Sequence, residues 1–284
     1  MKNEENNKGR LTTDLISHPL MYRMGLMVTP TSVDVVITSR VNDNGLLFRH
    51  IDFPAGADPM TALEETVYDN PLLTSDFYEI YVLVDNNRFF AMDAVAANDN
   101  EIRKRIELLW PEDKSGVKLE ALVTPAEQGR NVVVGAAPSA LLKFLRRTFN
   151  NPAVEHRMGV LTRYYAVKNR LGNMGKIHVR LGEETTDILV FGHQGLLLVN
   201  TYPTKTTDDA AYFTLAVAKQ FDFDNENDRI YVTGEGEVRD AYMAEMRRFV
   251  NMVLPEIMPT ELTAPSSETG KVPFELLAYP LVSR

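Results

Sequence analysis

Few residues of this chain have types and spacing that suggest chemistry. Thr233-Gly234-Glu235-Gly236 sits where a strand pattern gives way to a helix pattern. A glycine pair there lets a ligand approach the backbone, and the helix N-terminus that follows attracts anions. The signal is weak, because the third glycine of a dinucleotide fingerprint is missing and a plain tight turn explains the same residues. Asp222, Asp224, Glu226 and Asp228 alternate like a calcium loop. An EF-hand needs glycine at its sixth position and glutamate at its twelfth, and Asn227 and Thr233 stand there instead. The five histidines, His18, His50, His156, His178 and His193, show no metal-ligand spacing. His156, next to Glu155, reads as a buried, hydrogen-bonded side chain. There is no Walker A, no Gly-x-Ser-x-Gly and no zinc-protease motif.

Composition excludes further classes. The chain has 284 residues, a 44% hydrophobic fraction and no cysteine. That is enough apolar material for a proper core, and it removes disulfides, thiolate ligands and a cysteine nucleophile. The net charge of −9 argues against nucleic acid as the main partner. The pairs Arg146-Arg147 and Arg247-Arg248 fall late in predicted helices, where cations suit the dipole. Met1 to Arg10 is polar, with no apolar leader, and no run is long enough to span a membrane. A cytoplasmic protein fits these features.

The elements that must position the candidates are clearest between Lys176 and Gln220. Ile177, Val179 and Leu181 alternate with His178 and Arg180, the period of a strand with one buried face. Gly182 to Thr185 is a polar turn, Ile188 to Phe191 an apolar run, Gly192 to Gly195 a second turn, and Leu196 to Val199 a third strand. From Thr207 the period becomes helical, with Thr207, Asp208 and Asp209 supplying a cap and first-turn carboxylates. The N-terminal half repeats the pattern: strands at Gly25–Thr29, Val33–Thr38 and Leu46–Phe53, then a helix from Asp58 or Pro59 to Tyr68. Asp34 and Asp187, Gly45 and Gly195, and Pro54 and Pro203 lie 153, 150 and 149 positions apart. The spacing predicts a two-fold duplication of a β-β-β-α unit.

Between and after the units, Tyr78 to Met92 reads as a hairpin turning at Asp85-Asn86-Asn87, and Asn98 to Trp110 as a helix. Lys118–Thr124 and Asn131–Gly135 read as strands, and Pro138 to Phe149 as a helix. Ala153 to His156 is a short strand, and Gly159 to Leu171 a helix packing between the halves. Ile230 to Thr233 is a strand and Glu237 to Val250 a helix. Phe274 to Val282 is apolar enough to dock as an added strand.

A duplicated β-β-β-α unit resembles the actin, hexokinase and Hsp70 superfamily of ATPases. Within it the chain is similar to the actin-like component of type IV pilus machines, and to the Bacteroidetes domain of unknown function 3822. The resemblance covers about Leu20 to Pro259. It implies an α/β fold with two ribonuclease H-like (actin-like ATPase) lobes, mixed sheets flanked by helices, and a cleft between them. The implied organisation is a disordered tail (1–15), a first lobe (16–168) carrying a small insertion (about 78–135), a second lobe (169–260) and a C-terminal tail (261–284).

In the superfamily, the turn after the first strand of each lobe carries a metal-holding carboxylate and phosphate-holding backbone amides. The resemblance therefore points to Gly182 and Thr185 in the second-lobe turn, and to Gly234 and Gly236 at the adenosine side, as the candidates for nucleotide contact. ATP or ADP is the cofactor it allows; no metal ligand and no catalytic residue is assigned. The expected turn carboxylate is replaced by Arg180. The first-lobe turn, Val28-Thr29-Pro30-Thr31-Ser32, has neither acid nor glycine, and Pro30 has no N–H to offer. The implied function is a pseudo-ATPase, a non-catalytic intracellular scaffold or adaptor with a protein partner and room for a homodimer. The alternative is a magnesium-nucleotide-dependent ATPase or phosphotransferase with displaced ligands, in which Asp187, Glu183 or Glu184 would be indispensable.

Overall fold

The computed structural model describes residues 10–40, 46–111, 116–169, 174–234, 236–257 and 272–283. The first lobe opens with β1 (Tyr22–Val28), β2 (Ser32–Ser39) and β3 (Leu46–Asp52), then α1 (Pro59–Asp69) and β4 (Glu79–Val84). An insertion follows: β5 (Phe89–Asp93), α2 (Asp99–Leu109), β6 (Leu119–Ala126) and β7 (Asn131–Pro138). The lobe closes with α3 (Ser139–Thr148), β8 (Ala153–His156) and α4 (Arg157–Lys168). The second lobe runs β9 (Lys176–Leu181), β10 (Thr185–Gly192), β11 (Gly195–Pro203), α5 (Thr207–Gln220), β12 (Arg229–Thr233), α6 (Gly236–Met246), β13 (Val253–Pro255) and α7 (Phe274–Val282).

The two main sheets have the same order, β3-β2-β1-β4-β8 and β11-β10-β9-β12-β13. In each, the first three strands form an antiparallel meander and the last two add in parallel. The insertion supplies a separate sheet, β5-β7-β6. The duplication thus extends past the predicted β-β-β-α to a full β-β-β-α-β-α-β-α unit, with α4 and α7 as equivalent last helices. The anchor Gly45 lies outside the described residues.

The inner strands of both main sheets are buried on both faces. Met24, Leu26, Val28, Ile80, Val82 and Val84 turn outward beneath α1 and α3. Ile177, Val179, Ile188, Val190, Ile230 and Val232 do the same beneath α5 and α6. The alternate residues Met27, Val36, Tyr81 and Leu83 face Leu189, Phe191 and Val199 of the other lobe across α4 and α7. A helix between two sheets must be apolar nearly all round. Accordingly, α4 is buried from Arg157 to Thr162 and at Tyr164, Tyr165 and Ala166. Each such aliphatic side chain contributes about 1.5–3 kcal/mol.

Several expectations change. His178, read as the polar face of β9, is buried: its ring stacks on Tyr165 at 3.9 Å between centroids, and Nδ1 lies 3.1 Å from Glu256 Oε2. Tyr78 to Met92 is not a hairpin, because β4 pairs with β1 and β8 while β5 pairs with β7. Phe274 to Val282 is a helix, not an added strand, and it lies within the expected tail. Its nonpolar residues cover all sides, which period-2 reading cannot tell from a buried strand. Residues 10–15, expected in the disordered start, include Leu11, which is fully buried and donates its N–H to Asn70 Oδ1 at 2.7 Å. Residues 1–9 lie outside the described residues.

The seat of α7 depends on one close approach. Tyr81 donates its hydroxyl to Leu276 O at 2.7 Å and stacks on Tyr279 at 4.3 Å between centroids. The other face of the Tyr81 ring lies over Gly25, where a Cβ would stand 2.3 Å from Cζ. Gly25→Ala therefore must displace Tyr81 and with it α7. The expected cost is about 1–3 kcal/mol, read as a Tm loss of roughly 3–10 °C. Gly236→Ala, with nothing within 4 Å of its Cβ, is the matched control and should leave Tm unchanged.

Candidate functional site

The duplication places two aspartates alike. Asp34 is the third residue of β2 and Asp187 the third of β10. Each faces inward and bonds its cross-strand neighbour: His50 Nδ1 lies 2.6 Å from Asp34 Oδ1, and Thr201 Oγ1 donates to Asp187 Oδ1 at 2.6 Å. On the other side Asp34 faces Met27, while Asp187 faces Arg180.

Arg157, the first residue of α4, enters this joint from the pivot between the lobes. Its Nη2 donates to Asp187 Oδ1 at 3.0 Å and its Nη1 to Asp187 Oδ2 at 2.5 Å. Its Nε donates to Asp85 Oδ1, just beyond the end of β4. Its Nη1 also reaches Glu275 Oε1 of α7 at 3.4 Å. Arg180 completes the cluster, with Nε 3.1 Å from Glu275 Oε1 and Nη1 3.6 Å from Asp187 Oδ2. Arg157, Asp187 and Glu275 are at most 3% exposed. One guanidinium therefore ties the first lobe, the second lobe and the last helix together.

The titration behaviour follows from this packing. Burial alone would raise the Asp187 carboxyl; Arg157, Arg180 and Thr201 outweigh it and hold it below the usual range. Burial raises Asp85, against the opposing pull of Arg157. Burial disfavours the Arg157 charge, but Asp187 and Asp85 raise its pKa well above the ordinary value. His156 precedes the arginine and caps α4: its Nδ1 accepts Met158 N–H at 3.2 Å, so Nε2 carries the proton and donates to Asn86 O at 3.1 Å. Burial and the neighbouring Arg157 cation push His156 down to about 3.

The nucleotide candidates lie elsewhere. Gly182 donates its N–H to Thr185 O at 2.8 Å, closing the β9–β10 turn. Thr185 is half-buried in that turn, and Glu183 and Glu184 are exposed. Gly234 lies against this turn, a Cβ there standing 3.0 Å from Leu181 Cβ, while Gly236 opens α6 with free space around it. The structure thus brings Gly182, Thr185 and Gly234 together at one end of β9 and β12. In the first-lobe turn, Thr29 Oγ1 accepts the N–H groups of Thr31 and Ser32 at 3.1 and 2.9 Å, and Thr29 N–H goes to Ser32 O. With Pro30 between them, that turn has no N–H left for a phosphate. Of the acids a magnesium nucleotide could use, Asp187 is taken by Arg157 while Glu183 and Glu184 stay exposed, and the first turn is closed on itself.

The acidic loop is also spent on its own backbone. Asp228 accepts Gly175 N–H at 2.6 Å and Asp224 N–H at 2.9 Å, and Asp224 accepts Glu226 N–H at 2.9 Å. Among the described residues no group of three or more acid, histidine or cysteine side chains is arranged to hold a metal. Sequence reasoning missed Arg157, Asp85 and Glu275. The one available signal was the equivalent placement of Asp34 and Asp187.

With this geometry in hand, comparison places the chain. Residues 14–253 match the sequence profile of a family. The chain belongs to DUF3822, a family of proteins of unknown function. A Bacteroides thetaiotaomicron protein with an actin-like ATPase fold and unknown function is similar to this DUF3822 chain at 16% identity, with a TM-score of 0.75 over 92% of this chain and 97% of that one. A chain of the PilM–PilN type IV pilus biogenesis complex is similar at 15% identity, with a TM-score of 0.52 over 93% and 98%. No curated protein matches. These likenesses agree with the duplicated sheets: the DUF3822 chain has the actin-like ATPase fold.

Two outcomes test the cluster. Arg157→Met leaves Asp187 buried without its main counter-charge and Glu275 with Arg180 alone. It should cost about 3–5 kcal/mol in urea unfolding at neutral pH, and less as the pH falls and the carboxylates take up protons. His156 gives a second readout. Below its ordinary 6.5 the unfolded chain binds a proton that the folded chain refuses until about 3. Protons therefore favour the unfolded state in that window, and stability falls with pH by up to about 1.4 kcal/mol per unit. His156→Asn keeps a capping acceptor without the titration, so its stability should fall less steeply between about pH 6.5 and 4.

Proposed function

We propose that this DUF3822 protein is a non-catalytic scaffold or adaptor, in which the actin-like cleft has become a structural joint. The observation that supports this is the Arg157 guanidinium held between Asp85 of one lobe and Asp187 of the other. A permanent cation there takes the carboxylate oxygens that a magnesium ion would need. Displacing it would strand a buried guanidinium, a loss of several kcal/mol. The closed first-lobe turn supports the same reading.

On this reading the molecule works through a protein partner inside the cell, as a monomer or a homodimer. The PilM chain it resembles is found in a complex with PilN, which lends the partner idea modest support. Among the described residues no helix is long and apolar enough to cross a membrane. The competing reading, a nucleotide-dependent ATPase or phosphotransferase, rests on the adjacency of Gly182 and Gly234 and the open space at Gly236.

Calorimetric titration with ATP and ADP, with and without magnesium, separates the two. The scaffold reading expects no binding at about 1 mM nucleotide, or binding indifferent to magnesium. Binding that tightens with magnesium, accompanied by turnover that Glu183→Gln or Glu184→Gln abolishes, would establish the enzyme and overturn the scaffold.

A further inference from the structure

A cavity of about 670 Å³ opens between the first lobe and the small β5-β7-β6 sheet. Val28, Pro30, Met60, Leu63, Trp110 and Leu141 give it apolar walls. Its size falls in the range of small-molecule sites, roughly 300–1,000 Å³. Asp85 lines it where it meets the ion cluster, and the side chain keeps 26% of its surface exposed. Its Oδ1 accepts Arg157 Nε, while Oδ2 has no hydrogen-bond partner among the described residues.

Charge makes that oxygen informative. The cluster sets three carboxylates, Asp85, Asp187 and Glu275, against two guanidiniums, Arg157 and Arg180. One negative charge is left over, and with Asp187 and Glu275 buried it is at Asp85 that a counter-charge can reach the cluster.

We propose that this cavity binds a small ligand with an apolar body and a cationic amine, the ammonium seated on Asp85 Oδ2. An ammonium is donor-only, so it matches an unpartnered carboxylate oxygen and neutralises the cluster at once. The rest of the lining is not acidic: Arg88 is exposed in it, and the first turn of α3, which also lines the cavity, has no side-chain cap. Both repel a cation, so the ammonium goes to Asp85 and the remainder of the ligand is neutral or anionic. Asp58, the remaining acid of the lining, spends Oδ2 on the N–H and hydroxyl of Thr61. The proposal stands whether or not the protein binds nucleotide.

Trp110 is the only tryptophan of the chain and lines the cavity, so its fluorescence reports occupancy. The full-length protein is titrated with 2-phenylethylamine, 2-phenylethanol and 3-phenylpropionate to about 20 mM. The amine should give a saturable change, roughly tenfold tighter than the alcohol, as expected for one charge-assisted bond, with the carboxylate weakest. Ala140→Phe, at an exposed position of the lining, should weaken the amine at least about tenfold through steric filling while leaving Tm unchanged. Asp85→Asn should bring amine and alcohol to equal affinity; if that variant does not fold, Ala140→Phe decides alone. Absence of a saturable amine response, alcohol or carboxylate binding as tightly as the amine, or an undiminished response in Ala140→Phe would each overturn the proposal.

Discussion

A guanidinium at the first residue of a helix faces the positive end of the backbone dipoles, the wrong place for a cation. Arg157 stands there, 3% exposed, and is held only because Asp85, Asp187 and Glu275 surround it. Each of those acids comes from a different part of the chain: the end of β4, the start of β10, and the first turn of α7. The rest of the joint follows from that requirement. The lobes must meet closely enough to exclude water, α7 must return to the joint after the second lobe is complete, and His156 must stay neutral beside the cation. His156 meets its condition by accepting at Nδ1 and donating at Nε2.

The duplication explains why the joint can be built at all. Two sheets of identical order offer two equivalent inward faces, and α4 and α7 fill the space between them as equivalent last helices. Their N-termini converge, one bringing Arg157 and the other Glu275, which sits well at a positive helix end. The halves have diverged around this axis. Asp34 keeps the place of Asp187 but meets a half-exposed histidine, not arginine. The insertion adds a second clasp on the far side of the joint. Glu127 accepts Leu196 N–H at 2.9 Å, and Arg130 donates to Gln194 O at 3.2 Å, so the β6–β7 turn grips the β10–β11 turn. Gly195 takes φ of 114° there and leaves room for the Glu127 carboxylate.

The sequence carried the local rules well. The meanders, the helix at Thr207 and the repeat spacing were legible because strand and helix periods and turn residues are short-range signals. Pro30 and Arg180, in and beside the two turns, were equally plain to read. What failed was long-range. His178 and Arg180 alternate with apolar residues and so read as a solvent face, yet β9 is covered on both sides and its polar residues are paired inside. Asp85 looked like an ordinary turn acid, and Glu275 lay in a segment with no recognisable period. A buried ion cluster leaves no spacing signature when its members are 72, 30 and 118 residues from the arginine.

An ionic joint of this kind shifts where function can reside. In a hinged two-lobed molecule, the energy of ligand binding is coupled to closure, and the open state must be accessible within a few kcal/mol. Opening here would separate Arg157 from Asp187, strip Glu127 from Leu196, and disturb a helix pinned by Tyr81. Loss of the Arg157–Asp187 pair or the Tyr81 bond would leave buried groups unpaired, and the Glu127–Leu196 bond is part-buried. The cavity beside the insertion lies within the first lobe, so the proposed ligand needs no opening of the joint. Asp85 connects it to the joint, so occupancy there is felt by the cluster through charge without any need for the lobes to part.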